Sequence, residues 1–273
     1  MERVPAEPLF LPTGRGERFC LYHAPARPCR AALLYVPPFG EEMNKSRRMA
    51  ALAARALAAD GVAVLQLDLH GCGDSDGDFA DATWDGWLAD LQDARTWLED
   101  KHACRAGLWG LRLGALLALE HAEQAAVAPA RLLFWQPVLS GASFLTQFLR
   151  LRVAADMLTG GGGASTDALR ASLQAGEALD IGGYTLTGAL ASGLDAAEAS
   201  RCAPPCPIDW IELTAAPERP LPPAAARTAL QWQQQGRSVR THTLACSSFW
   251  SSQEIETSAE LVALTARLLR ESA

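Results

Sequence analysis

The sequence predicts an α/β domain built on a mostly parallel sheet with helices on both faces. Two observations carry that prediction. Short runs such as Ala31–Val36 (AALLYV) and Val62–Leu67 (VAVLQL) are apolar nearly throughout, as strands buried on both faces must be. The stretches between them place apolar residues three and four apart, which is the helical period. Strand and helix signals therefore alternate, and alternation of this kind means parallel strands joined by crossover helices.

The elements follow in order. Ala31–Val36 ends at Pro37-Pro38. Residues 47–60, rich in Ala, Leu and Arg, read as a helix that Gly61 stops before the strand Val62–Leu67. Residues 68–81 form a Gly/Asp-rich loop. Residues 83–101 carry Trp84, Trp87, Leu88, Leu91, Ala94, Trp97 and Leu98, a single apolar stripe on a helix. A strand at 107–109, a helix at 113–125 and a strand at 131–135 complete the first half.

The pattern breaks after Pro137. Residues 139–200 hold helix-like pieces at 144–158 and 166–176, a Gly160–Gly163 run and a Gly-rich stretch at 181–193. No strand precedes the glycine run and no Gly-Lys-Ser/Thr follows it, so it does not read as a phosphate loop. The segment reads as a lid or cap inserted into one domain of residues 1–273. Phe144, Leu145, Phe148, Leu149 and Leu151, edged by Arg150 and Arg152, give it an apolar helix for packing, for roofing a pocket or for meeting a partner protein. The sheet resumes with a strand at 208–213, then a helix at 224–235, a strand at 239–244 and a closing helix at 256–270.

Composition narrows the function. Apolar residues make up 49% and charged residues 20%, and the formal net charge is −7. That balance, with no basic run interleaved with aromatics, argues against nucleic acid and anionic membrane as partners. No stretch approaches ~18 uninterrupted apolar residues, so no membrane span is expected. The seven cysteines are scattered, and the N-terminus lacks a charged-then-apolar leader pattern. Reduced thiols and a cytoplasmic location are the simplest expectation. Cys202 and Cys206 flank Ala-Pro-Pro without a second ligand pair nearby, so neither a metal nor a cofactor is expected.

Chemistry in such sheets gathers beyond the carboxyl ends of the strands. The turn after residues 107–109 reads Gly110-Leu111-Arg112-Leu113-Gly114. This has the strand–Gly-x-nucleophile-x-Gly–helix form of a nucleophile elbow, which makes the expected architecture an α/β-hydrolase fold. The residue at the elbow's apex is Arg112, which cannot deprotonate and cannot attack a carbonyl. Residues 37–43, just after Ala31–Val36, form the loop where such folds place oxyanion donors, with the Phe39 and Gly40 amides as candidates beside Leu113. Gly73–Gly77 formally matches Gly-x-Ser-x-Gly at Ser75, but no helix opens directly after it. Asp and Ser side chains bonding their own backbone explain that loop better.

A base is missing too. Residues 245–254, after the last strand, contain no histidine. His242 lies inside the strand and reads as structural. His70 is the loop histidine at the correct edge, and Glu218 is the nearest carboxylate after 208–213. Neither has a nucleophile to serve. For Arg112 two roles stand open: pairing with Glu41 or Glu42 from the neighbouring loop, or joining the helix N-terminus to hold a carboxylate or phosphate. Unconventional catalysis would use Ser247, Ser248, Ser251 or Ser252, or Glu42 activating water.

The segments at residues 36–49 (VPPFGEEMNKSRRM), 68–79 (DLHGCGDSDGDF), 109–118 (WGLRLGALLA) and 249–255 (FWSSQEI) resemble the exosortase A system-associated hydrolase 2 group of α/β hydrolases. The resemblance spans nearly the whole chain, and residues 36–49 are its most specific piece. It implies an ester- or acyl-directed hydrolase in bacteria with exosortase/PEP-CTERM sorting, linked to exopolysaccharide and envelope biogenesis. A catalytically silent binder of an anionic ligand or of a partner protein is the other reading the residues support.

Overall fold

A computed structural model describes residues 5–158, 163–216 and 219–271. Eight strands form one sheet: β1 (Glu7–Thr13), β2 (Gly16–His23), β3 (Ala31–Val36), β4 (Val62–Leu67), β5 (Ala106–Leu111), β6 (Leu132–Trp135), β9 (Ile208–Thr214) and β10 (Val239–Ala245), in spatial order β1-β2-β4-β3-β5-β6-β9-β10. Strands β4 through β10 of that row run parallel, and the β1–β2 hairpin joins antiparallel at one edge.

The hairpin was not visible in the sequence, and Arg18 shows why. It points inward at 0% exposure, which breaks the apolar-in, polar-out alternation. Its cost is offset by Asp90, 72 residues away, whose Oδ1 accepts from Arg18 Nε at 2.8 Å.

One face of the sheet packs on α1 (Gly40–Ala59) and α8 (Ala259–Glu271). The other packs on α2 (Trp84–His102), α3 (Leu113–Gln124) and α7 (Pro223–Gln234). Thr83 caps α2 by accepting from Gly86 N at 3.0 Å. One expectation needs correction. Residues 37–43 are not all loop: α1 begins at Gly40, so Glu41 and Glu42 stand in its first turn, where carboxylates suit the helix dipole. Gly40 enters the helix at φ 62°, a conformation few other residues hold, and this hid the helix start behind Pro37-Pro38-Phe39.

Residues 139–200 run between β6 and β9, which are neighbours in the sheet. They contain α4 (Gly141–Leu158), α5 (Thr166–Gln174), the hairpin β7 (Leu179–Ile181) and β8 (Tyr184–Leu186), and α6 (Gly188–Ala196). The Gly-rich stretch at 181–193 is thus the hairpin turn and α6, while Gly160, Gly161 and Gly162 lie outside the described residues. The two ends of the segment meet in an antiparallel bridge between Ser140 and Glu198. Phe144, Leu145, Phe148 and Leu149 are buried, and Leu151 is exposed. Phe144 and Phe148 meet the Phe39 ring edge-on at 5.5 and 5.1 Å, so α4 packs on the end of the β3–α1 connection.

Candidate functional site

The turn from β5 into α3 is built as its glycines require. A methyl group at Gly110 would lie 2.4 Å from Ala115 Cα, and one at Gly114 would lie 2.1 Å from the Val36 carbonyl oxygen. Helix, strand and the β3–α1 connection therefore approach closer than any side chain permits. Arg112 sits at the apex with φ 54° and ψ −120°, a conformation that costs roughly 1–3 kcal/mol for a residue with a Cβ. Its N–H donates to the Trp135 carbonyl at 3.1 Å, and its own carbonyl accepts from Val138 N at 3.1 Å, which holds the strained turn in place.

The apex side chain is half-buried and turned toward α1. Arg112 Nε and Nη2 both donate to Glu42 Oε1, at 3.2 and 3.1 Å. Two donors on one oxygen make a poorer contact than a two-oxygen fork. The Glu42 Oε2 atom is buried and has no hydrogen-bond partner among the described residues. Burial pushes the Glu42 carboxyl above its ordinary pKa, and the Arg112 charge and hydrogen bond pull it back. On its other side the guanidinium lies over the Trp250 ring, 5.2 Å from its centre. Trp250 comes from the loop after β10, where an α/β-hydrolase triad would place its histidine.

A second carboxylate lies at the sheet's end. Glu212, near the end of β9, is 4% exposed. Its Oε2 accepts from Trp210 Nε1 and its Oε1 from Gln136 Nε2, each at 2.9 Å. Burial raises its pKa, against those two bonds and the charge of Arg112. Sequence reasoning missed Glu212 and chose Glu218, which lies outside the described residues. A carboxylate inside the apolar run IDWIEL was the available signal, because a buried strand keeps a charge only with partners.

Around the His70 ring stand Arg15, Arg18, Asp81 and Asp90, with Gly77 against the imidazole. Arg112 touches Glu42 and Trp250, and its charge acts on Glu212. Burial depresses the His70 pKa. Ser75 donates to the Asp68 carbonyl at 2.6 Å and accepts from Phe19 N at 2.9 Å, so its hydroxyl pins the loop to β2. His242 Nε2 is 3.6 Å from Asp209 Oδ1. Ser251 and Ser252 donate to backbone carbonyls of their own loop. Burial lifts the thiol pKa values of Cys202 and Cys206 to about 12 and about 11.

Beside the Arg112–Glu42 pair a cavity of about 360 Å³ opens between α1, α4, the β7–β8 hairpin and Trp250. Phe39, Phe144, Phe148 and Tyr184 supply its aromatic walls, and Glu41, Glu42 and Lys45 its charged rim. Gly40 and Leu113, the first residues of their helices, have N–H groups that no intrahelical acceptor can take. They are the N-terminal amides of α1 and α3. Glu42 is the carboxylate in contact with Arg112, and Ser251 lines the cavity beside Trp250.

No family model matches the chain, and no curated protein matches it. Solved structures do. The ferulic acid-bound form of Est1E from Butyrivibrio proteoclasticus is 15% identical, with 96% of each chain covered and a TM-score of 0.68. Alpha/beta hydrolase domain-containing protein 10 from mouse is 15% identical, covering 97% of this chain and 98% of the other at a TM-score of 0.60. A thioesterase domain from the curacin biosynthetic pathway is 16% identical, covering 97% and 99% at a TM-score of 0.56. The chain has the α/β-hydrolase fold. Among the described residues no helix is long and apolar enough to cross a membrane.

Proposed function

We propose that this chain is a catalytically silent α/β-hydrolase-fold protein that binds a small, largely apolar ligand in the cavity beside Arg112, with residues 139–200 as its lid. The observation that carries this reading is the Arg112–Glu42 pair itself. It fills the apex where a nucleophile would stand and is braced by Trp250 rather than by a histidine. A cavity of about 360 Å³ walled by aromatic rings suits an acyl or aryl group. The unpartnered Glu42 Oε2 favours a ligand carrying a hydrogen-bond donor, such as a hydroxyl or amide, over one that is only an anion.

The resemblance to the exosortase A system-associated hydrolase 2 group supports a cytoplasmic role near exopolysaccharide or envelope biogenesis, and leaves room for a partner protein. A second reading keeps catalysis. Glu42, with its raised pKa and free oxygen, would act as a base on water against a bound ester. One pair of assays separates the two. On the binding reading, octanamide changes the Trp250 fluorescence saturably, and p-nitrophenyl octanoate is not turned over above the rate of a denatured control. Turnover that Glu42→Gln abolishes would establish the second reading instead.

A further inference from the structure

A separate groove of about 320 Å³ lies on the α1 face of the sheet, over β2, β3 and β4. Its floor is Phe19, Leu21 and Tyr35, and one wall is the face of α1 carrying Arg47, Arg48 and Arg55. Phe19 meets Phe10 edge-on at 5.5 Å, and Phe10 is 53% exposed, so the apolar floor continues onto the open hairpin. Arg47 is held by Asp68, Nη2 to Oδ2 at 2.9 Å. Arg48 and Arg55 have no carboxylate partner among the described residues, and Asp68 is the one acidic residue of the lining. The Tyr35 side chain is 4% exposed, and its hydroxyl lies against Ser46.

Two features here run against the rest of the molecule. A chain of net charge −7 concentrates three arginines on one groove, and the half-buried Phe19 and Leu21 lie beside them. Neither an anion alone nor an apolar group alone would match both. We propose that this groove is a second ligand site, distinct from the Arg112 cavity, that takes a single-chain anionic amphiphile. The alkyl chain lies on Phe19 and Leu21 and the anionic head on the arginine wall. The concave shape and small volume fit one molecule in solution rather than a membrane surface. The competing account is that the arginine stems simply shelter the floor while their charges stay in water.

Calorimetry with octyl phosphate below its micelle concentration decides between them. The wild type is expected to bind one molecule. Arg48→Glu/Arg55→Glu, at two exposed positions whose exchange leaves the thermal midpoint unchanged, is expected to bind about tenfold or more weakly. Phe19→Ser is expected to weaken binding while leaving inorganic phosphate unaffected, and uncharged octyl glucoside is expected to bind the wild type about tenfold or more weakly than octyl phosphate. Equal affinity in the charge-reversed variant would overturn the proposal, as would equal affinity for octyl glucoside. Binding to phosphatidylglycerol-containing vesicles with none to monomeric octyl phosphate would overturn it in favour of a membrane surface.

Discussion

Two of the ion pairs among the described residues, Arg18–Asp90 and Arg112–Glu42, differ in completeness. Arg18 and Asp90 are both fully buried. Asp90 accepts from Arg18 Nε, from Arg15 Nη2 and from His70 N, while Arg18 also donates to the carbonyls of Glu17 and Arg15. Every charged atom there has work to do within the fold. Arg112 and Glu42 are 16% and 22% exposed, converge on one carboxylate oxygen and leave the other without a partner. The first pair ties the β1–β2 hairpin to α2 and stabilises the fold. In the second, Glu42 lines the cavity and Arg112 stands on a strained turn. An incomplete pair beside an aromatic cavity is the arrangement expected of a site for something else.

The largest effect should come from breaking the complete pair. Asp90→Ala strands Arg18 in the interior and should cost about 3–5 kcal/mol in denaturant unfolding. A loss below about 1 kcal/mol would erase the distinction drawn between the pairs. The rigidity of the turn beneath Arg112 is tested next. Gly114→Ala sets a methyl against the Val36 carbonyl and should cost about 3 kcal/mol, whereas a flexible turn would absorb it.

A third buried group sharpens the comparison through pH. His121, 4% exposed on α3, stays neutral because burial lowers its pKa from 6.5 to about 4. A depressed histidine stabilises the fold at neutral pH, and that stability is lost as pH falls. The unfolded chain takes up its proton near 6.5 and the folded chain only near 4. Across that window the wild type should lose up to about 3 kcal/mol relative to His121→Leu, read from chemical unfolding at each pH.

The smallest effect is assigned to Glu42→Gln, under about 1 kcal/mol at neutral pH. The sign with pH is opposite to that of His121. A raised carboxyl contributes stability that is present below its unfolded pKa and lost as pH rises through the folded one. The wild type should therefore gain on Glu42→Gln as the solution is acidified.

What was legible in the sequence follows from where local physics decides. The strands Ala31–Val36 and Val62–Leu67 could be read to the residue because both their faces are buried and the runs are apolar except for Gln66. Gly110 and Gly114 could be read because only glycine permits the contacts they make. The β1–β2 hairpin was hidden by Arg18, whose partner lies on α2. The first turns of α1 were hidden by a positive-φ glycine behind two prolines. Trp250 lies in the loop where an α/β-hydrolase triad places its histidine, and nothing local in the sequence marks it as a partner of Arg112. An aromatic ring there is a sensible neighbour for an arginine at the apex, but only the fold brings β10's loop to α3's first turn.

On the proposed binding function, none of the described serines is activated. Intact-protein mass after exposure to a fluorophosphonate probe, with peptide mapping of any adduct, tests it most directly. The account predicts an unchanged mass under conditions that fully label a serine esterase. A single stoichiometric adduct, on Ser251 or any other serine, would contradict it and locate a nucleophile that the Arg112 turn does not supply.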